Sequence, residues 1–271
     1  MKFDLNDLTF IISYKKDTED RERNLRIVLS YFKFFFENYH AIVLEIGNPT
    51  GKDWIEKFSN VEYFNEKESN VFHKSLLFNL GAKLSTTNYL SFWDTDVICD
   101  PGAVFEVLRQ LKMKASGLGF CYSGVFLELK KNFFHEFLKN LNFNLVPRLG
   151  SSTTLVGKSF GPNGMFNYVH HSSPGGCIFF NKEIFFKHGG YNNKFKKWGF
   201  EDDEILERFL KVGEKCCRVG NISLIHLQHD RTKDGTPENE FYKSNLLEFL
   251  KIKKMNKEQL IDYIEKELKT K

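Results

Sequence analysis

The run Tyr89-Leu-Ser-Phe-Trp-Asp-Thr-Asp96 decides the fold. Tyr89–Trp93 is an apolar, aromatic stretch of strand length, and it runs straight into two carboxylates spaced two apart. Upstream, Leu8–Tyr14 is a short β-branched run of the same kind, Ala41–Ile46 a second, and Val61–Phe64 a third. Between them lie segments with apolar residues at three- and four-residue steps. These predict helices over Asp20–Asn38, where Leu25, Val28, Leu29, Phe32 and Phe36 share a face, and over Asp53–Phe58 and Phe72–Leu84. Strands alternating with helices imply an α/β fold with a mostly parallel central sheet flanked by helices. In such sheets ligands bind beyond the carboxyl ends of the strands, which is where Asp94-Thr-Asp96 falls.

The second half is less regular. Ala103–Leu111 reads as a helix, Gly119–Leu129 as a strand, Ile178–Phe180 and Ile222–Ile225 as short strands, and Glu201–Val212 as a helix. From Asn140 to Gly176 the chain reads as one long loop with many Gly and Pro and a Ser-Ser-Thr-Thr run. A loop of that length predicts a functional segment that closes over a ligand. Residues 241–271 carry eight Lys against five acids with apolar residues at helical spacing, an amphipathic helical tail.

Composition narrows the function. The chain has 271 residues, room for one large domain or two small ones, and 41% hydrophobic with 27% charged residues, as in a soluble globular protein. A net charge of +4 gives no support to nucleic-acid binding, whose basic footprint is stronger and clustered. No apolar run approaches the length needed to span a bilayer, and the N-terminal MKFDLNDLTF lacks the apolar centre of a signal peptide. Five cysteines without CxxC spacing argue against a disulfide framework or a structural zinc site, and a reducing cytoplasm is the expected location. The 29 Phe are spread along the chain without a repeat and read as core.

Four short stretches have residue types suited to chemistry. Asp94 and Asp96 offer oxygen ligands where a strand gives way to a loop, which suits a divalent cation on a diphosphate; on a continuing strand both would share one face. Solvated acids at a strand end fit equally. His226-Leu-Gln-His229 could put two imidazoles on one ion only if the chain turns after His226, as the Asp230–Gly235 loop signals suggest. Two imidazoles and a carboxylate favour Mn²⁺ over Mg²⁺. A surface or structural pair of His fits the same letters. Trp198-Gly-Phe-Glu-Asp-Asp-Glu204 sets four adjacent acids before an amphipathic helix. One or two would satisfy the helix dipole, whereas four repel one another, so at least one needs a partner or a task. A carboxylate beside Trp198 suits a general base next to a flat surface for a sugar ring. Gly175-Gly176 allows either a close backbone approach to a ligand or a plain turn.

Together these motifs resemble, over roughly residues 8–240, the GT-A nucleotide-sugar glycosyltransferases, and among them the β-1,4-galactosyltransferase family. Phe72-His-Lys-Ser-Leu-Leu-Phe-Asn-Leu-Gly81 is similar to the family's Phe-Asn-Arg-Ala helix, and Asp94-Thr-Asp96 to its Asp-x-Asp. Gly175-Gly176 with Asn192-Asn-x-Phe-x-x-Trp-Gly-x-Glu-Asp-Asp203 is similar to its acceptor segment, and His226-x-x-His229-Asp-Arg to its Met-x-x-His. The resemblance implies a GT-A domain over 1–240, with a donor half about 1–115 and an acceptor half about 116–240, followed by the 241–271 tail.

It also implies roles. Asp96, His226 and His229 would hold Mn²⁺ or Mg²⁺, with His226 standing where the family has methionine. Tyr14, Arg21, Phe72, Lys74, Asn79, Asp94 and Gly176 would bind the donor: Phe72 lies against the uracil, Asp94 contacts ribose or sugar, and Lys74 replaces a phosphate-binding Arg without its bidentate fork. Asp202 would be the general base, with Trp198, Glu201 and Asp203 at the acceptor. His73 replaces an Asn, Phe200 replaces a Gly and narrows the pocket, and Lys196-Lys197 interrupts the family's Trp-Gly-Trp-Gly-Gly run.

The implied activity is inverting transfer of a hexose or N-acetylhexosamine from a UDP-sugar to a glycan or lipid-linked saccharide. A cytoplasmic bacterial enzyme of surface polysaccharide or lipooligosaccharide synthesis is the expected context, with the Lys-rich tail available for peripheral contact with the inner face of the membrane. Competing readings are weaker. A sugar-nucleotide pyrophosphorylase needs a Gly-rich phosphate loop after the first strand, where Tyr14-Lys-Lys-Asp-Thr-Glu19 has no Gly. A non-catalytic sugar-binding module has no need of both a metal set and a base. Retaining relatives carry Glu-Asn where this chain has Glu-Asp-Asp.

Overall fold

The structure is a computed structural model describing residues 2–67, 71–114, 116–150, 157–170 and 172–269. The Ser-Ser-Thr-Thr run lies outside these residues. A seven-stranded sheet forms the centre, in the spatial order Cys216–Arg218, Leu118–Phe120, Cys177–Asn181, Tyr89–Trp93, Leu8–Tyr14, His40–Ile46, Val61–Glu66. Its right half is parallel, with Leu8–Tyr14 paired to both Tyr89–Trp93 and His40–Ile46, as the helix–strand alternation requires. Cys177–Asn181 runs antiparallel to both of its neighbours. Every residue of Leu8–Tyr14 is buried, the mark of a strand covered on both faces.

The helix Glu19–Phe35 packs on that strand through a tight aromatic group. Phe10 stacks on Phe32 with centroids 4.0 Å apart, and Trp93 sits edge-on to both. Thr18 caps the helix by accepting the Arg21 N–H, and Glu19, Asp20 and Glu22 place negative charge at its N-terminus. The helix stops short of Asn38 because Phe36–Glu37 pairs with Phe3–Asp4 as a strand.

Two expectations for the second half are corrected. Gly119–Leu129 is not one strand: Leu118–Phe120 belongs to the large sheet, and Phe126–Leu129 belongs to a five-stranded sheet. The switch occurs around Gly124, at φ +102, a backbone geometry that suits glycine. The 140–176 region is also not one open loop. A strand pair, Ser159–Phe160 with Phe166–His170, joins Phe126–Leu129.

That smaller sheet runs Ser159–Phe160, Phe166–His170, Phe126–Leu129, Leu224–Leu227, Val97–Ile98. It borrows Val97–Ile98 from just past the Asp-Thr-Asp, so the two sheets meet at the carboxyl end of Tyr89–Trp93.

The tail forms helices Tyr242–Lys254 and Lys257–Tyr263, the second started by an Asn256/Gln259 capping box, and ends in a wide turn over Ile264–Leu268. Ile252, Leu260, Tyr263 and Ile264 form a separate small core against Val212. Tail side chains also hold the segment before Trp198: Asn245 donates to the Lys196 carbonyl, and Asn192 donates to the Tyr263 hydroxyl. Among the described residues, no helix is long and apolar enough to cross a membrane.

Candidate active site

Backbone pairing brings the first ligand group together. His226 lies inside a strand and pairs with Val97, the residue after Asp96, and the Leu227 N–H donates to the Asp96 carbonyl at 2.7 Å. The strand ends at Leu227, and the turn that follows carries His229 back to the same point. Asp96, His226 and His229 thus each offer a ligand atom within 4.8 Å of one another, and all three are buried. His229 Nε2 lies 3.1 Å from Asp96 Oδ2, while His226 Nε2 lies 3.8 Å from Asp96 Oδ1.

The donor set fits a divalent cation. His229 Nδ1 donates to the Asp230 carbonyl at 2.8 Å, which orients the ring so that Nε2 faces Asp96. His226 Nδ1 is buried without a hydrogen-bond partner, and burial pushes the imidazole down to about 4, so at neutral pH it is the neutral ligand form. Burial alone would raise the Asp96 carboxyl, but the Arg21 guanidinium ion-paired with it holds it well below the usual carboxylate range.

Asp94 does not join this group. The strand ends at Trp93, the Asp94 N–H donates to the Gly176 carbonyl at 2.8 Å, and the two aspartates turn apart instead of sharing a face. Asp94 reaches Lys74, which projects from the first turn of the helix Lys74–Leu84. Lys74 Nζ lies 3.0 Å from Asp94 Oδ1, 3.0 Å from Asp202 Oδ2 and 3.4 Å from Glu201 Oε1. It is buried, and its charge is held firmly: burial opposes the charge, but the three carboxylates raise its pKa well above that of a free lysine. Lys74 therefore contacts three carboxylates in this structure, a role the likeness to a phosphate-binding arginine does not foresee.

The four acids of Glu201–Glu204 separate into four environments. Glu201 is buried and accepts the Gly199 N–H at 3.0 Å in addition to its Lys74 contact. Asp202 accepts Lys74 on Oδ2 and the Tyr191 hydroxyl on Oδ1 at 3.2 Å. Asp203 stands exposed on the cavity wall. Glu204 is fully buried with Arg208, whose guanidinium also donates to the carbonyls of His188 and Gly190. Burial is the main reason that the Asp202 carboxyl is pushed up to about 7. Glu201 and Asp94 add to that rise and Lys74 opposes it. A carboxyl near neutrality, in a cavity and beside a cation, is a candidate general base.

One cavity of about 510 Å³ is lined by Asp94, Asp96, Gly175, Gly176, Trp198, Glu201, Asp202, Asp203, His226 and His229. A narrower pocket of about 110 Å³ adjoins it, lined by Arg21, Phe72 and Thr95 together with Ser13, Lys15 and Asp17. Lys74, Asp94, Arg21, Trp198 and Glu201 line both. Arg21 ion-pairs with Asp96 and hydrogen-bonds Thr95. Trp198 is 42% exposed and stacks on Tyr242 of the tail with an interplanar angle of 9°. Phe200, at φ +70, tilts onto Tyr242 and stacks on Phe249; the left-handed backbone there is one glycine would adopt without cost.

Two expected donor contacts are absent. Tyr14 is fully buried beside Glu45 and the Gly51 turn and lines neither cavity. Its side chain alternates to the opposite face from Ser13, which does line the narrow pocket. Asn79 clamps the following segment, donating to the Tyr191 carbonyl and to Asn193 Oδ1 and accepting the Tyr191 N–H, and it faces a different cavity. The motif reading also missed Tyr191 and Lys15. The first holds the candidate base, and the second lines the narrow pocket from a segment with no motif spacing of its own. Arg231, the last residue of the His-x-x-His-Asp-Arg motif, lines the larger cavity without having been given a role.

Comparison with known proteins gives the architecture its place. The family model described as the N-terminal domain of galactosyltransferase matches residues 162–230, the segment containing Asp202, His226 and His229. No curated protein matches the chain at a significant level. Among solved structures, GalNAc-T7 with UDP, GalNAc and Mn²⁺ is similar at a TM-score of 0.57 and 12% identity over 90% of this chain. This chain spans 47% of that one, about half its length. The catalytic domain of Drosophila beta1,4galactosyltransferase 7 with xylobiose is similar at a TM-score of 0.52 and 16% identity, over 89% of this chain and 79% of that one. Both are GT-A glycosyltransferases, and the likeness gives this chain the GT-A fold.

Proposed function

We propose that this GT-A chain is a metal-dependent glycosyltransferase that transfers a hexose or N-acetylhexosamine from a UDP-sugar to a hydroxyl of a glycan or glycolipid, with inversion at the anomeric carbon. The observation that carries the reading is the convergence of the Asp96–His226–His229 group and the near-neutral Asp202 carboxyl on one cavity. The galactosyltransferase match over 162–230, and the UDP and Mn²⁺ in GalNAc-T7, support the same chemistry.

Asp96, His226 and His229 would hold Mn²⁺, with Mg²⁺ as a second choice, because two imidazoles and one carboxylate suit the softer ion. Bound there, the ion supplies positive charge to the leaving diphosphate. Arg21 adds a fixed cation on the same side, and Phe72 offers a flat ring to the base of the nucleotide. Trp198 presents its face to the acceptor sugar. Asp202 takes the proton of the acceptor hydroxyl as that oxygen bonds to the anomeric carbon and the bond to UDP breaks, a term worth ~10²–10⁴-fold. Attack from the face opposite the leaving group turns an α-linked donor into a β-glycoside.

The proposed setting is bacterial surface polysaccharide or lipooligosaccharide synthesis in the cytoplasm, at the inner face of the membrane. Supporting the membrane contact, Leu247 and Leu250 project from the outer face of the helix Tyr242–Lys254 with Lys243, Lys251 and Lys254 around them.

A panel of UDP-sugars scored by UDP release, with Mn²⁺, with Mg²⁺ and with EDTA, tests the proposal. Release from at least one donor that EDTA abolishes and Mn²⁺ restores is the expected result. No release from any donor with any ion, despite a folded protein, would overturn it.

A further inference from the structure

The two cavities share a wall, and Lys74 is the part of that wall that touches the base. Its ammonium contacts Asp202 Oδ2 at 3.0 Å and Asp94 Oδ1 at 3.0 Å, and the same side chain borders the narrow pocket beside Arg21 and Phe72. Asp202 is faced by Lys74 from the helix Lys74–Leu84, by Asp94 from the strand end, by Tyr191 from the loop before its own helix, and by Glu201 beside it. Lys74 is the one cation among these groups.

Resting on the transferase reading, we propose that Lys74 is a positioning residue that links donor binding to the base: a nucleoside diphosphate entering the narrow pocket competes for the Lys74 ammonium, loosens its hold on Asp202, and makes that carboxylate a stronger proton acceptor.

The argument is one of charge. Three carboxylates face a single ammonium, so with all of them ionised the cluster carries a surplus of negative charge in a buried setting, and it relieves this by taking up a proton. A diphosphate at the donor side adds a further anion that Lys74 can reach without leaving its helix position. As the Lys74 cation turns toward the diphosphate, its lowering effect on Asp202 weakens and the proton affinity of that carboxyl rises. The reciprocal holds by linkage: protonating Asp202 tightens donor-side binding. The coupling raises the proton affinity of Asp202 while a diphosphate occupies the narrow pocket, so the pH above which its carboxylate is free to act as base moves up when the donor is bound.

The test reads protons, not turnover. UDP with Mg²⁺ is titrated calorimetrically into the full chain at pH 7 in buffers of different ionisation enthalpy, which gives the number of protons exchanged on binding. The wild type is expected to take up more protons than Asp202→Asn by at most about half a proton, because a carboxyl near 7 is already half protonated at that pH. Lys74→Met should lose this excess, since without the cation Asp202 is protonated beforehand, and Lys74→Arg should keep it. UDP binding with the same proton count in wild type and Asp202→Asn would overturn the linkage and leave the transferase reading standing. An equal count in wild type and Lys74→Met would overturn it as well. Should Lys74→Met fail to fold, the comparison of wild type with Asp202→Asn decides alone. No UDP binding with Mg²⁺ or Mn²⁺ would overturn both proposals together.

Discussion

The Leu227 N–H donates to the carbonyl of Asp96 over 2.7 Å, and this backbone contact sets two metal-capable side chains on one point. With His226 paired to Val97, the strand that carries one ligand is zipped to the residue after the other. His229 then arrives by the turn after Leu227, and its Nδ1 is held by the Asp230 carbonyl. The imidazoles thus come to the carboxylate on backbone that is itself hydrogen-bonded, which fixes where these ligand atoms sit relative to one another.

Replacing one of these ligands should weaken ion binding with little harm to the fold. His229→Ala should lower Mn²⁺ affinity at least about tenfold, read by electron paramagnetic resonance of free Mn²⁺ against protein concentration. Unchanged affinity would remove His229 from the ligand set.

Asp202→Asn should lower the rate of sugar transfer at least about a hundredfold, as expected on removing a general base. In the wild type, kcat/KM should fall as the pH drops below about 7, where the Asp202 carboxyl gains its proton. Steady-state rates from pH 5.5 to 8.5 check both, and a flat profile through this range would exclude Asp202 as the titrating base.

The same carboxyl has a stability signature. Its folded pKa is raised from 3.8 to about 7, so the folded state binds the proton more tightly than the unfolded chain. Stability from this group is present below the unfolded value and is lost as the pH rises through the folded one. Asp202→Asn removes that loss, so its stability relative to wild type should rise between about pH 4 and 7. Urea unfolding of both proteins at pH 4.5, 6 and 8 gives the trend; a difference independent of pH would contradict it.

Arg208→Ala should destabilise the fold by about 3–5 kcal/mol, because it leaves the fully buried Glu204 charge unpaired and orphans the His188 and Gly190 carbonyls. Chemical denaturation measures this directly. A loss below about 1 kcal/mol would mean that the segment relaxes to let in water.

Gly176→Ala tests the strand-end turn. The residue has φ +84, and a Cβ there would lie 2.6 Å from Leu224 Cδ2 and 2.7 Å from Phe126 Cζ. Left-handed strain and overpacking together predict a loss of about 2 kcal/mol or more. Because the Gly176 carbonyl accepts the Asp94 N–H, donor affinity should fall too, as read by UDP titration.

The amino-acid sequence by itself determined the parallel half of the large sheet, the helices on it, the Asp-Thr-Asp at the strand end and the acidic start of the helix Glu201–Val212. Each of those is written in local periodicity: a doubly buried strand is an unbroken apolar run, and a surface helix repeats its apolar residues at three and four. Sequence also marked Asp96, His226, His229 and Asp202, because few residue types can ligate a metal or move a proton. Tertiary structure alone decided that Gly119–Leu129 divides between two sheets, and that the 140–176 stretch adds strands to the second one. Pairing partners lie far along the chain, and nothing in the local pattern names them. It also decided that Tyr14 and Asn79 turn away from the cleft while Tyr191 reaches the base. Likewise Lys74 faces three carboxylates only because a helix N-terminus, a strand end and a second helix meet there. The field on a buried charge is the sum over neighbours that folding supplies, and no spacing within one segment encodes that sum.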